Sequence, residues 1–376
     1  MFWLQRYAMH AVLLSLPIHA GPLIDFEEEM RSDFVLETKK IDVPGFPDAY
    51  NPSLVKWKDG FLLSFRTGEV AKCPEVESRQ SFLLECLRRN EDESSCERDA
   101  DQYVAHLKCR NQIGLILLDQ DFEPVGTPQI LYIHYPPPFI AERQHDPRLL
   151  FVGEKLFMVY SNMVTGWRKP EIRRPFVVEI LNDQELFFAS TPVPVIRYEG
   201  EDPSKWSKNW VPFEHNKKLN LSHHINPHIV FRFDGTIACS TLAQTIALVE
   251  WNYGELRGGT PAILDDDGSY LAIFHSSVIM ESVHSDGEEV PHYFMGAYTF
   301  SSDPPFALTA ISSSPIIGEN FFHGEPHKAW KEARVVFPGG LILGPEKIWV
   351  AYGRQDHEIW IATLDKKGLK QSLTPL

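Results

Sequence analysis

The chain has no apolar run near the roughly 20 residues that a membrane-spanning helix needs. The longest early run, Ala11 to Ile18, is far too short, so no stable membrane span is expected. Basic residues are scarce relative to acidic ones: 36 against 51, a formal net charge of -15. A chain so acidic lacks the basic face that neutralises phosphates, which excludes general nucleic-acid binding. Only five cysteines occur and none forms a Cys-x-x-Cys pair, so no metal site is expected. No Rossmann fingerprint and no Ser-His-Asp order stands out. Gly258-Gly259-Thr260 is too short to be a phosphate-binding loop. Cofactors are therefore not implied. Long helical periodicity is also missing, which points away from a helical or α/β fold.

What is present is a repeat. Five segments read as β-hairpins, each with two apolar runs around a turn of Gly, Asn or charged residues. They start at Asn51, Asp146, Asn209, Thr260 and Phe337. The spacing leaves room for a four-stranded blade at each start, since a blade takes roughly 40 to 50 residues. The reading is an all-β chain: a single five-bladed β-propeller spanning residues 21–376. The widest gap, after the first hairpin, holds Cys73, Cys86, Cys96 and Cys109 in a charged stretch. Residues 73–110 are read as a small helical insertion in the first blade. Two disulfides within it are expected if the chain is exported. Export is the expectation for residues 1–20, where Arg6 precedes the short apolar run and Ala20 offers a cleavage point. Without such a signal the chain would be cytoplasmic.

Equivalent positions of a propeller surround one axis, so the repeat starts converge. Asn51, Asp146, Asn209 and Thr260 should meet there, joined by the hairpin ends Arg66, His275 and Tyr352 and by Asp356 beyond. Asn, Asp, Arg and His together suit a ligand rich in hydroxyls, each of which donates and accepts. An oligosaccharide or other glycan is the expected substrate. Turn formation alone is the plainer reading of Asn51, Asp146 and Asn209. For Asp265-Asp266-Asp267 a solvated turn is expected rather than a metal site.

From about residue 50 onward the chain carries, in order, Asn51-Pro52 with Arg66, His145-Asp146-Pro147-Arg148, Lys208-Asn209, Gly259-Thr260-Pro261 with His275, Val336-Phe337-Pro338, and Tyr352-Gly353 with Asp356. In these motifs it resembles glycoside hydrolase family 130, the β-mannoside phosphorylases and hydrolases. The resemblance implies a five-bladed propeller that cleaves β-mannosidic bonds with inversion, Asp146 acting as general acid. In the phosphorylases inorganic phosphate is the co-substrate and nucleophile. Arg148, Lys208, His228 and Arg257 are the residues expected to hold it, with Arg173 and Arg174 behind them. Hydrolytic members use an acidic base to activate water instead. The chain departs from the family pattern at His145, commonly acidic, at Trp210, commonly glycine, and at Arg354-Gln355 before the final Asp. Those departures keep two alternatives open: a mannosyltransferase using a nucleotide sugar, and a glycan-binding propeller without catalysis.

Overall fold

A computed structural model describes residues 22–68, 96, 111–135, 143–164, 172–202, 204–324 and 333–376. Its strands form five antiparallel sheets arranged as the blades of a propeller. Blade 1 runs Tyr50–Trp57, Gly60–Gly68, Asn111–Leu118 and Pro124–Ile130. Blade 2 begins with His145–Val152, Lys155–Met163 and Arg173–Asp183. Blade 3 is Val211–His215, Lys218–His224, His228–Phe233 and Cys239–Thr245. Blade 4 is built on the long hairpin of Ser269–Met280 and Val290–Ser301. Blade 5 is Val336–Leu343, Lys347–Arg354 and Glu358–Asp365, completed by Val35–Ile41 from far upstream. In the same way Leu373–Pro375 adds an edge strand to blade 4. All five expected hairpins are present at the expected starts.

Stacked blades bury both faces of most strands, which explains apolar runs without alternation. In Phe61-Leu62-Leu63-Ser64-Phe65 the side chains split by parity. Leu62 packs toward blade 2 with Leu149 and Met158, whereas Leu63 and Phe65 pack toward blade 5 with Ile342 and Ile361. Among the described residues the buried apolar side chains fall into five clusters, one at each contact between neighbouring blades. Each cluster draws on two sheets, so no blade has a core of its own.

The insertion lies between the second and third strands of blade 1. Apart from Cys96 it falls outside the described residues, as do residues 1–21. Cys96 is disulfide-bonded, and Cys239 is a free, buried thiol in blade 3. The acidic turn of blade 4 is a turn, as expected, but it is not merely solvated. Lys366 and Lys370 of the helix Lys366–Ser372 pair with Asp265, and Lys370 reaches Asp267 at 2.6 Å.

Candidate active site

The first strands of the blades surround the axis, and at their starts the backbone does something unusual. Asn51, Asp146 and Asn209 all adopt positive φ, at 45°, 54° and 63°. Register shifts follow at once, between Tyr50 and Ser53 and between His145 and Arg148. Such a bulge re-aims a side chain out of the normal alternation. Asn and Asp tolerate the left-handed region better than other residues with a side chain. The turn reading and the site reading of these three residues are therefore compatible. The backbone asks for Asn or Asp, and the same geometry points them at the axis. Asp356 is also left-handed, at 50°, on the turn after Lys347–Arg354.

These residues line a polar cavity of about 100 Å³. Around it stand Asn51, Arg66, Asp146, Lys208, Asn209, Arg257, His275 and Asp356, with Ser277, Tyr293 and Phe337. A larger cavity of about 310 Å³ lies four to five residues further along the same inner strands. Its walls are mainly apolar, among them Val55, Leu150, Ile263 and Leu341, and no pair of carboxyls converges there. The polar cavity is therefore the candidate site.

Asp146 is its most heavily held group. Asn51 Nδ2 donates to its Oδ1 at 3.0 Å, and Arg66 Nη1 at 3.3 Å. Burial pushes the carboxyl up, but Arg66, Lys208, Arg148 and the Asn51 hydrogen bond outweigh burial and bring it down to about 2. Asp356 goes the other way. Burial raises its carboxyl, Asp146 adds to the rise, and Arg66, Asn51 and Lys208 oppose it without cancelling it. Two carboxyls in one cavity are thus shifted in opposite directions.

His145 stands beside them, buried. Its Nε2 faces Arg66 Nη2 at 3.0 Å and Asn111 Nδ2 at 3.1 Å. Both neighbours are donors, so Nε2 must accept and the ring proton sits on Nδ1. Burial first, then Arg66 and Arg173, hold the ring neutral. An acidic side chain here would have paired with Arg66. A neutral imidazole leaves more of the Arg66 charge for Asp146. His275 is also neutral, brought down to about 3 by burial and by Arg148 and Lys208. Its Nε2 meets Asn209 Nδ2 at 3.4 Å, and its buried Nδ1 has no hydrogen-bond partner. Lys208 Nζ makes no hydrogen bond or ion pair with a described residue, and lies 5.9 Å from the exposed Trp206 ring. Arg257 is at the rim, paired with Glu255 at 2.7 Å. Of the three cations lining the cavity among the described residues, Arg66 pairs with Asp146 and Arg257 with Glu255, which leaves Lys208 as the cation most available to a ligand.

Several expected residues lie outside the cavity. Arg148 turns away beneath Asp146. It bonds the carbonyls of Asp146, Gly258 and Gly259, tying blade 2 to blade 4. Its guanidinium is held by these carbonyls and, at 3.5 Å, by Asn209 Oδ1, which keeps it out of the cavity lining. His228 sits between blades 3 and 4, where Nδ1 meets the Phe306 carbonyl at 2.7 Å. Tyr352 is buried in the core between blades 4 and 5 against Phe321. Thr260 is buried, its hydroxyl donating to Pro261 O and accepting from Ile273 N. The Arg174 Nη1 and Nη2 groups are held by the Arg173, Lys205 and Asp202 carbonyls and by Glu201, outside the cavity. Arg173 is buried, within 5.3 Å of the Trp206 ring. Sequence reasoning missed Asn111, which anchors Arg66 Nε at 3.1 Å, and Tyr293, which lines the cavity. Both lie on later strands of their blades, outside the repeat starts.

No protein-family model and no curated protein matches the sequence. Solved structures do match the fold, and it is that of the glycoside hydrolase family 130 mannoside phosphorylases and their relatives. β-1,2-Mannobiose phosphorylase from Listeria innocua is 15% identical with a TM-score of 0.55, covering 89% of this chain and 92% of that one. A mannose phosphorylase from Leishmania mexicana is 14% identical with a TM-score of 0.53, covering 93% of each. A GDP-Man-dependent mannosyltransferase, also from Leishmania mexicana, is 13% identical with a TM-score of 0.56, covering 90% and 92%. At such identities the likeness is one of fold, and chemistry must be argued from the cavity.

Proposed function

We propose that the chain is a carbohydrate-active enzyme that cleaves β-mannosidic bonds with inversion, Asp146 delivering the proton. The observation that carries this reading is the pair of carboxyls with opposed tendencies in one polar, axial cavity. Asp146 is ionised in the free protein, so it does not begin as a proton donor. It can act if a sugar hydroxyl bridges it to the glycosidic oxygen: the hydroxyl protonates the leaving oxygen and is recharged from Asp146, which takes its own proton from solvent as substrate binding desolvates the carboxyl and raises it. Asp356, whose carboxyl burial raises, lines the same cavity. Asn51, Asn209 and His275 supply the donors and acceptors that hydroxyl groups require.

The acceptor is either phosphate or water. Of the four residues expected to hold phosphate, Lys208 and Arg257 line the cavity, whereas Arg148 and His228 are engaged elsewhere. We favour phosphate held by Lys208 and Arg257, with inorganic phosphate as co-substrate. A nucleotide-sugar mannosyltransferase is the second reading, prompted by the Leishmania mexicana transferase of the same fold. Residues 1–20 are proposed as a secretion signal, consistent with the disulfide at Cys96.

Product analysis separates these readings. The chain is incubated with β-1,2- and β-1,4-mannobiose, with and without phosphate, and separately with GDP-mannose. Mannose 1-phosphate formed only with phosphate identifies a phosphorylase, free mannose in both conditions a hydrolase, and turnover of GDP-mannose alone a transferase. Asp146→Asn should lower turnover by about 10²–10⁴-fold while retaining sugar binding by calorimetry. Full activity in that variant would overturn the assignment of the acid.

A further inference from the structure

Outside the cavity, three segments distant in sequence bring two imidazoles and two carboxylates together. Asp25 and Glu27 belong to the start of the short helix Phe26–Glu29, His284 to the turn Val283–Ser285, and His323 to the loop after Asn320. Glu27, His284 and His323 each present one ligand atom within 4.8 Å of the others. His323 Nδ1 is 3.0 Å from Glu27 Oε1, and His284 Nε2 is 3.3 Å from Asp25 Oδ1.

Local folding accounts for part of this arrangement. Asp25 caps the helix by accepting from Glu27 N and Glu28 N. Glu27 accepts from Asn320 N at 2.7 Å and Phe322 N at 2.9 Å, which pins the 320–323 loop. Neither role explains His284. Its side chain is 5% exposed and stacks on Phe26 at 5.8 Å, and its buried Nε2 meets Asp25 Oδ1 at 3.3 Å outside hydrogen-bond geometry. An unsatisfied buried nitrogen is costly and calls for a partner. That nitrogen faces carboxylate oxygens, so with the ring proton on Nδ1 its lone pair suits a cation.

We propose that His284 Nε2, His323 Nδ1 and Glu27 Oε1 bind a divalent transition-metal ion with water as fourth ligand, zinc being the best match to the donors. Imidazole and carboxylate together suit zinc, with metal–ligand distances of about 2.0–2.2 Å in a tetrahedron. The ligand atoms must then draw in to about 3.3 Å of one another. His323, 61% exposed on its side chain, has the freedom to make most of that movement. Glu27 also accepts backbone amides from Asn320 and Phe322, which is how outer partners orient metal ligands. The ion would clip the helix and two loops together. The 320–323 loop carries the effect further. Arg354 Nη1 donates to Asn320 O at 2.8 Å and Gln355 Nε2 to Phe322 O at 3.0 Å, and these residues begin the turn that bears Asp356.

The test uses the full chain, stripped with a chelator, desalted and titrated with Zn²⁺ and with Co²⁺. One equivalent of zinc by elemental analysis is expected, with a rise in Tm of about 2–4 °C at saturating metal and a tetrahedral Co²⁺ absorption band. His323→Ala removes an exposed ligand and should leave the Tm in chelator unchanged while weakening zinc binding about tenfold or more. His284→Ala should abolish binding, but it can also disturb packing, so the His323 variant carries the decision. Less than a tenth of an equivalent bound by the wild type would overturn the proposal. So would zinc binding unchanged in His323→Ala, which would place the metal elsewhere.

Discussion

Asp146 and Asp356 share a cavity, but protonation affects their contributions to stability with opposite signs. Asp146 sits at about 2 in the fold, below the usual 3.8, so its carboxylate stabilises the protein above about pH 3.8, and that contribution is lost as pH falls through about 2. Asp356 lies above its usual value, so its contribution is complete below about pH 3.8 and lost as pH rises through its raised pKa. At neutral pH, Asp356 therefore costs stability. Asp356→Asn should raise Tm by about 1–2 °C at pH 7 while reducing turnover, read by calorimetry beside a product assay. A lower Tm at pH 7 would count against the raised value. At this scale much of the site was legible. Asn51, Asp146 and Asn209 stand out because the repeat marks their positions. Arg148 was misplaced because two residues along a strand normally share a face, and the bulge between His145 and Arg148 breaks that rule. His145 was visible as a departure, but its role depends on Asn111, which no local pattern connects to it. The left-handed backbone also restricts chemistry at these positions, since replacement by a longer acid such as glutamate would add strain as well as reach.

Elements meet at the site through close backbone approaches. Gly353, on the second strand of blade 5, lies against Asn51 of blade 1. A Cβ there would fall 2.2 Å from Asn51 Oδ1 and 2.9 Å from its backbone nitrogen. Gly353→Ala must therefore push Asn51 off Asp146. It is expected to destabilise the fold by about 1–3 kcal/mol and to reduce activity in parallel with Asp146→Asn, measured by denaturant unfolding and the same product assay. Gly258 makes the matching approach between blades 4 and 3, with a Cβ 2.1 Å from Asn209 O. Hairpins were easy to read because each is a local event, two apolar runs and a turn. The strand Val35–Ile41 was not read, since its partner Glu358–Asp365 is more than 300 residues away and nothing local announces the pairing.

Across the whole molecule that strand closes the ring. Val35 packs into the core between blades 4 and 5, Ile41 into the core between blades 5 and 1. Val35→Ala with Ile41→Ala should cost about 3–6 kcal/mol and still leave one cooperative thermal transition, because every core is shared by two blades. Two resolved transitions would show blades folding independently. The order of assembly has its own consequence. The cavity draws Asn51 from the first blade and Phe337 and Asp356 from the last, so it does not exist while the ring is open. Blade 5, which depends on the most distant pairing in the chain, is the natural last step of folding, since long-range closure is slow. Appearance of the proposed activity during refolding would then lag behind the strand signal, and the site would stay silent until its circle is complete.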